Sequence, residues 1–324
     1  MQEDNFSVLP SNRLQFFPVM MFAIIMGLAG LTIVYQKAND LFGLSLWITD
    51  GLILLTSFLF CAILLTYFAK AVVYPSEVKK EFAHPIRINF FAAISISFLL
   101  LSIIFKETYF VISFYSWYIG AILHLFFTLY TLSFWINKTL EIQHSNPAWF
   151  IPIVGNLVVP VAGVDIVSPD VTVFYFSIGI FFWIILFSII LNRLIFHKQF
   201  AQKFMPTLFI LIAPPSIGFI AYVKITAQLD MFAMILYNLG LFFTFLIFFM
   251  YKNFTKIKFF ISWWAFTFPL ATITLASMLM YDKTHLDFYL FISYFLIFSV
   301  TMVVLIVAYQ TIVHMKRKEI CIME

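Results

Sequence analysis

The sequence predicts an all-α polytopic membrane protein of ten transmembrane helices, paired as five hairpins, with odd helices forming an inner pore ring and even helices an outer ring. Three observations carry this expectation. The chain of 324 residues is 63% hydrophobic and 10% charged, far from the composition of a soluble domain. Its apolar runs are long enough for a crossing, which takes about 20 residues. Its prolines fall on alternate runs.

The elements follow in order. A polar, acidic opening, 1–13, lacks the basic start and cleavable apolar core of a secretory signal, so insertion is expected to begin with an uncleaved first span. That span covers 14–35. Further spans are predicted at 46–73, 87–105, 109–137, 147–164, 172–196, 206–226, 231–251, 257–280 and 287–314, each bounded by a short polar break. A basic tail, 315–324, closes the chain, leaving 14–314 as one transmembrane domain.

Charge sets the orientation. Of the 19 Lys and Arg residues, only Lys37, Lys106, Lys224 and Lys283 fall in loops on the side opposite the termini. Basic residues concentrate in cytoplasmic loops, so both termini are expected there. The net charge of +4 is therefore a topology signal, with basic loops lying against lipid, and no sign of nucleic-acid binding. Short loops fit a bacterial inner membrane.

Prolines in or at the mouth of spans are Pro18, Pro85, Pro152 with Pro160, Pro214 with Pro215, and Pro269, all in odd spans. Their recurrence at intervals of roughly 54 to 67 residues predicts a repeated hairpin. A proline inside a helix costs about 3 kcal/mol. In a membrane the broken backbone is tolerated only where protein buries it or it lines a wet cavity. This places the odd spans around the pathway.

Absent chemistry narrows the function. No Asp, Glu, Lys or Arg lies at the centre of any span, which argues against a pump or carboxylate-coupled antiporter. No nucleophile and base pair, zinc motif or phosphate loop marks an enzyme, and Cys61 and Cys321 suit neither a disulfide framework nor a metal site. No cofactor is expected. His124, in mid-span, reads as a hydrogen-bonded packing residue, and His84, beside Pro85, as a turn former. Most of the 44 phenylalanines read as lipid-facing or core filler. A phenylalanine beside a proline break on an inner helix can instead gate a pathway by hydrophobic constriction. The residues thus point to an uncharged, aromatic-gated route for small anions, with the positive ends of half-helices facing the solute.

The stretches "FFPVMMFAIIMGLAG", "EVKKEFAHPIRINFF", "NPAWFIPIVGN", "PTLFILIAPPS" and "WWAFTFPLATIT" resemble, in order and spacing, the tellurite-resistance TehA and dicarboxylate transporter family. That family includes plant slow-type anion channels and fungal malate and sulfite transporters. The resemblance covers nearly the whole chain and implies five hairpins around a central pore, assembled as a homotrimer with one pore per subunit. It implies a gating phenylalanine at Phe268, directly before Pro269, and a second at Phe90 or Phe91, with Phe91 preferred. Pro18, Phe22 and Gly27 match the first-helix pattern, in which a kink and small residues shape the pore. Pro215 matches the seventh-helix proline, Pro214 is additional, and Pro152 and Pro160 depart from the guard-cell pattern. No counterpart of the long phosphorylated tails of the plant channels is found in these residues, so control by a kinase is not expected from them. A channel for chloride or nitrate follows, or alternatively a proton-coupled secondary transporter for C4-dicarboxylates such as malate, or for sulfite or tellurite.

Overall fold

The computed structural model describes residues 13–321, and among them all regular structure is helical. Ten apolar segments follow one another: α1 Val19–Phe42, α2 Leu46–Val73, α3 Arg87–Phe105, α4 Phe110–Asn137, α5 Pro147–Gly163, α6 Pro169–Phe196, α7 Gln202–Thr226, α8 Met231–Phe249, α9 Ile261–Thr284 and α10 Asp287–Lys316. Nine are long and apolar enough to cross a membrane; α5 is shorter and discontinuous. A short helix, Pro75–Phe82, joins α2 to α3.

Burial separates the segments by parity. In the long odd segments 72–83% of the apolar window is buried within the protein, against 22–39% in the even ones. Every residue of α5 is buried. The odd segments therefore form the inside of the bundle, and the even ones turn Leu, Ile, Val and Phe side chains outward, as lipid contact requires.

The odd segments share a second property, which departs from the expected interior kinks. Each opens as a 3-10 helix and then relaxes to α. The 3-10 stretches are Val19–Met21, Arg87–Phe91, Pro147–Trp149 with Gly155–Val158, Gln202–Ile212 and Ile261–Phe266. Pro152, Pro160, Pro214, Pro215 and Pro269 all stand within the first three residues of an α stretch. There a missing N–H removes no α-helical bond, so proline is tolerated at little cost. Pro18 instead precedes its 3-10 turn in an extended conformation, and Pro85 lies in the turn before Arg87.

In α5, which alternates twice between the two helix types, neighbouring side chains occupy carbonyls of the broken ladder. Thr128 of α4 donates to the Pro152 carbonyl at 2.7 Å, Trp117 to that of Val159 at 2.9 Å, and Asn156 to that of Ile153 at 2.7 Å. Irregular backbone at this depth persists because such donors replace water.

Hairpin pairing is visible in glycines that the proline pattern did not single out. A Cβ at Gly120 of α4 would stand 2.8 Å from Leu99 of α3. At Gly179 of α6 it would be 2.6 Å from Leu157 of α5, and at Gly240 of α8 2.5 Å from Ser216 of α7. Three of the outer helices, α4, α6 and α8, thus lie at glycine distance on the inner segment that precedes each.

Two spans run further than hydropathy predicted. α1 continues through "YQKAND" to Phe42, and α9 through "YDKT" to Thr284. Their polar side chains find partners across the bundle. Gln36 donates to the Ile104 carbonyl at 2.9 Å, and Lys37 pairs with Asp282 at 3.2 Å.

Candidate functional site

Three cavities lie along the inner segments. The first is a broad mouth of about 960 Å³ at the 3-10 ends, lined by Gln15, Pro18, Arg87, Lys203, Lys258 and Cys321 among others. Both ends of the described chain therefore stand on this side. The second is a narrow chamber of about 70 Å³ walled by α1, α3, α5, α7 and α9. The third is a vestibule of about 380 Å³ at the opposite ends of the inner helices.

Mouth and chamber are linked by helical periodicity. Met20, Arg87 and Ile261 line the mouth, while Ala23, Phe90 and Trp264 line the chamber. Each pair is three residues apart, and a 3-10 helix of 3.0 residues per turn places such residues on one face.

Chamber and vestibule meet at Phe268 and Ile217, the two residues that line both. Phe268 is the second residue of the α stretch Thr267–Thr284 and is half-buried. Among the described residues its ring stacks on no other aromatic ring. It lies near Gly30 of α1, where an added Cβ would be 3.5 Å from its Cδ2. Pro214 and Pro269 also line the chamber, and no ionisable side chain does.

Other expected positions are distributed differently. Phe90, and not the preferred Phe91, lines the chamber. Phe91 points away, 4.6 Å from Phe82 and 6.1 Å from Tyr67 in edge-on ring contacts. Phe22 is likewise packed, edge-on to Tyr67 at 5.9 Å, and does not line the chamber. Gly27 marks the α1–α9 contact: a Cβ there would be 2.1 Å from Thr267 Oγ1 and 2.8 Å from the Trp264 ring. Pro152, Pro160 and Pro215 are buried beside the chamber without facing it, and Pro18 lies at the mouth.

The positive helix ends do not present free amides to the chamber as expected. The 3-10 turns carry the hydrogen-bonded ladder straight into each α stretch: Phe22, Ala92, Ala213 and Thr267 each donate to a carbonyl of the turn before. Residues missed by sequence reasoning are Gly30, Ile217 and Trp264, whose indole donates to Thr311 at 3.0 Å. Spacing was the available signal, since Gly30 and Trp264 lie about one turn from Gly27 and Phe268. His84 shapes its turn by accepting the Ile86 and Arg87 amides at 3.1 and 3.3 Å. His124 is fully buried, with Nδ1 2.9 Å from Ser95 Oγ and its other edge against Gly155.

An all-helical membrane protein whose inner segments enclose a chamber between two open cavities has the architecture of a channel or transporter. The chain belongs to the voltage-dependent anion channel family, whose model matches residues 16–312. It is 26% identical over 284 residues to the S-type anion channel SLAH3 of Arabidopsis thaliana, covering 84% of this chain and 45% of the plant protein. It is 26% identical over 268 residues to a tellurite resistance protein TehA homolog of Haemophilus influenzae, covering 82% and 81%. An uncharacterised transporter of Methanocaldococcus jannaschii is 27% identical over 250 residues, covering 69% and 72%. The chain spans about half the length of the plant channels SLAH3 and SLAH2.

Proposed function

We propose that this chain conducts small monovalent anions, such as chloride and nitrate, from mouth to vestibule, and that the Phe268 ring closes the route. The observation that carries this is the position of Phe268, which lines both the chamber and the vestibule. An apolar constriction of this size excludes a hydrated ion by dewetting, and moving one ring relieves it. Phe90 is the second aromatic wall, and Pro269 and Pro214 fix where the α stretches begin. Kinship with proteins named S-type anion channels supports the choice of solute. The basic residues on the side of both chain ends support a cytoplasmic mouth in a plasma membrane. The family resemblance supports a homotrimer with one pathway per subunit.

Kinship with proteins named as a transporter and a tellurite resistance homolog favours a second reading, a proton-coupled carrier for dicarboxylates, sulfite or tellurite. A carrier of that kind needs a proton-accepting group at the constriction, whereas the chamber lining is apolar and His124 stands behind Gly155. The test is chloride flux from proteoliposomes under imposed potentials with luminal pH recorded. Flux in Phe268→Ala that follows the potential without a pH change supports the channel; saturable wild-type uptake of malate or sulfite with a matching pH change supports the carrier.

A further inference from the structure

The vestibule holds three lysines, Lys37, Lys106 and Lys224. Two are neutralised. Lys37 pairs with Asp282 at 3.2 Å, and Lys106 pairs with Asp165 and, at 3.6 Å, with Glu107. Lys224 has no ion pair and no side-chain hydrogen bond among the described residues, and it is exposed to the cavity.

Its place on α7 ties it to the constriction. Ile217, Ile220 and Lys224 all line the vestibule, spaced so that they share one helix face, and Ile217 also lines the chamber. Seven residues of α-helix rise about 10 Å, so the ammonium stands roughly two turns beyond the Phe268 level. The carboxylates Asp40 and Asp50, which have no ion pair among the described residues, also line this cavity. Asp40 stands ten residues past Gly30, about 15 Å along α1, so its carboxylate lies outside the lysine level.

We propose that Lys224 is the binding site for a small inorganic anion in this vestibule, holding it between an acidic rim and the closing ring. The proposal deepens the channel reading by naming where the solute waits. A lysine ammonium is a compact, strongly hydrated point charge on a flexible stem, able to hold a hydrated monovalent anion and release it. Conduction requires that kind of weak, reversible site. The paired lysines cannot serve equally, because an arriving anion must compete with a carboxylate already in contact.

The experiment is a nitrate titration of the thermal midpoint of the purified full chain, with gluconate keeping ionic strength constant. A ligand that binds only the folded state raises the midpoint by an amount that grows as RT ln(1 + L/Kd), where L is its free concentration. Wild type and Lys224→Arg are expected to be stabilised by nitrate. Lys224→Gln should need about tenfold or more nitrate for the same shift, the scale of losing one charge-assisted contact. Lys37→Gln should behave as wild type. Equal curves for Lys224→Gln and wild type, or an equal loss in Lys224→Arg, overturn the proposal. Because this readout needs no flux, a silent Phe268→Ala channel with an intact Lys224-dependent shift would sink the conduction reading and leave the site standing. A conducting Phe268→Ala with no such shift would do the reverse.

Discussion

The Phe268 ring lies over a position where α1 has no side chain. A Cβ at Gly30 would stand 3.5 Å from Phe268 Cδ2 and 2.9 Å from the Ala271 Cβ. Three residues earlier, Gly27 meets Thr267 and Trp264 more tightly still, at 2.1 and 2.8 Å. The two glycines make α1 the close-fitting back plate of the α9 junction, and the ring moves or stays against that plate.

Gly27→Ala is accordingly expected to destabilise more than Gly30→Ala. The Thr267 hydroxyl that a new methyl would strike is held by the Trp264 carbonyl at 2.7 Å, so it cannot yield freely. Overpacking of this kind costs about 1–3 kcal/mol. Thermal midpoints of the two variants check the order; equal losses would mean that α1 can shift as a whole.

Phe90 and Phe91 are predicted to part company. Phe91→Ala removes a buried ring from a cluster with Phe82 and Tyr67 and should cost about 3–5 kcal/mol with no increase in flux. Phe90→Ala enlarges the chamber and should add to the flux of Phe268→Ala while doing little alone. Flux in the single and double variants decides the matter, and a large gain from Phe91→Ala would assign the second ring to the wrong neighbour.

Parity of the segments was legible because the inner segments begin α stretches partway along their length, where proline costs little. The choice between Phe90 and Phe91 was not, since each step in a 3-10 turn rotates a side chain by about 120° and the type of helix decides which ring faces inward. Resemblance selected Phe268, and the cavities on both sides of it supply the physical reason. Hydropathy ended α1 before Gln36 and α9 before Asp282 because it reads polarity as loop. Gln36 is polar because it faces the vestibule, and Asp282 because it pairs with Lys37, which lines it. The glycines on α4, α6 and α8 were invisible, since nothing in a glycine names the Leu99, Leu157 or Ser216 that it meets.

A buried ion pair anchors the mouth. Lys70 reaches Glu81 at 2.9 Å and the Phe17 carbonyl at 2.8 Å, and Tyr67 donates to the same carboxylate at 2.8 Å. Lys70 and Glu81 are 1% and 4% exposed, so removing one partner strands the other. Glu81→Leu is expected to cost about 3–5 kcal/mol, and Lys70→Met combined with it to cost less than Glu81→Leu alone. Denaturation of wild type, both single variants and the double variant tests this; additive losses would show that the pair is not coupled.

Asp230 caps α8, accepting the Ala233 amide at 3.0 Å and the Tyr222 hydroxyl at 2.5 Å. The Tyr222 hydrogen bond, helped by the Ala233 amide, holds its carboxyl below the usual range. A carboxylate with a depressed folded pKa adds stability above its unfolded value, about 3.9, and that stability is lost as pH falls through the folded value. Asp230→Ala should therefore lower the thermal midpoint at pH 7 by more than at pH 3. A deficit independent of pH would assign the effect to the helix cap without its charge.

The proposed gate sets one side chain, that of Phe268, between the chamber and the vestibule. Its most direct measurement is chloride flux under a fixed potential through a graded series, wild type, Phe268→Leu, Phe268→Val and Phe268→Ala, at matched protein density and with thermal midpoints recorded. Flux is expected to rise at each step as the side chain shrinks, with midpoints that stay close together. Flux that is flat across the series, in proteins that remain folded, would contradict it and return Phe268 to the packing of α1 against α9.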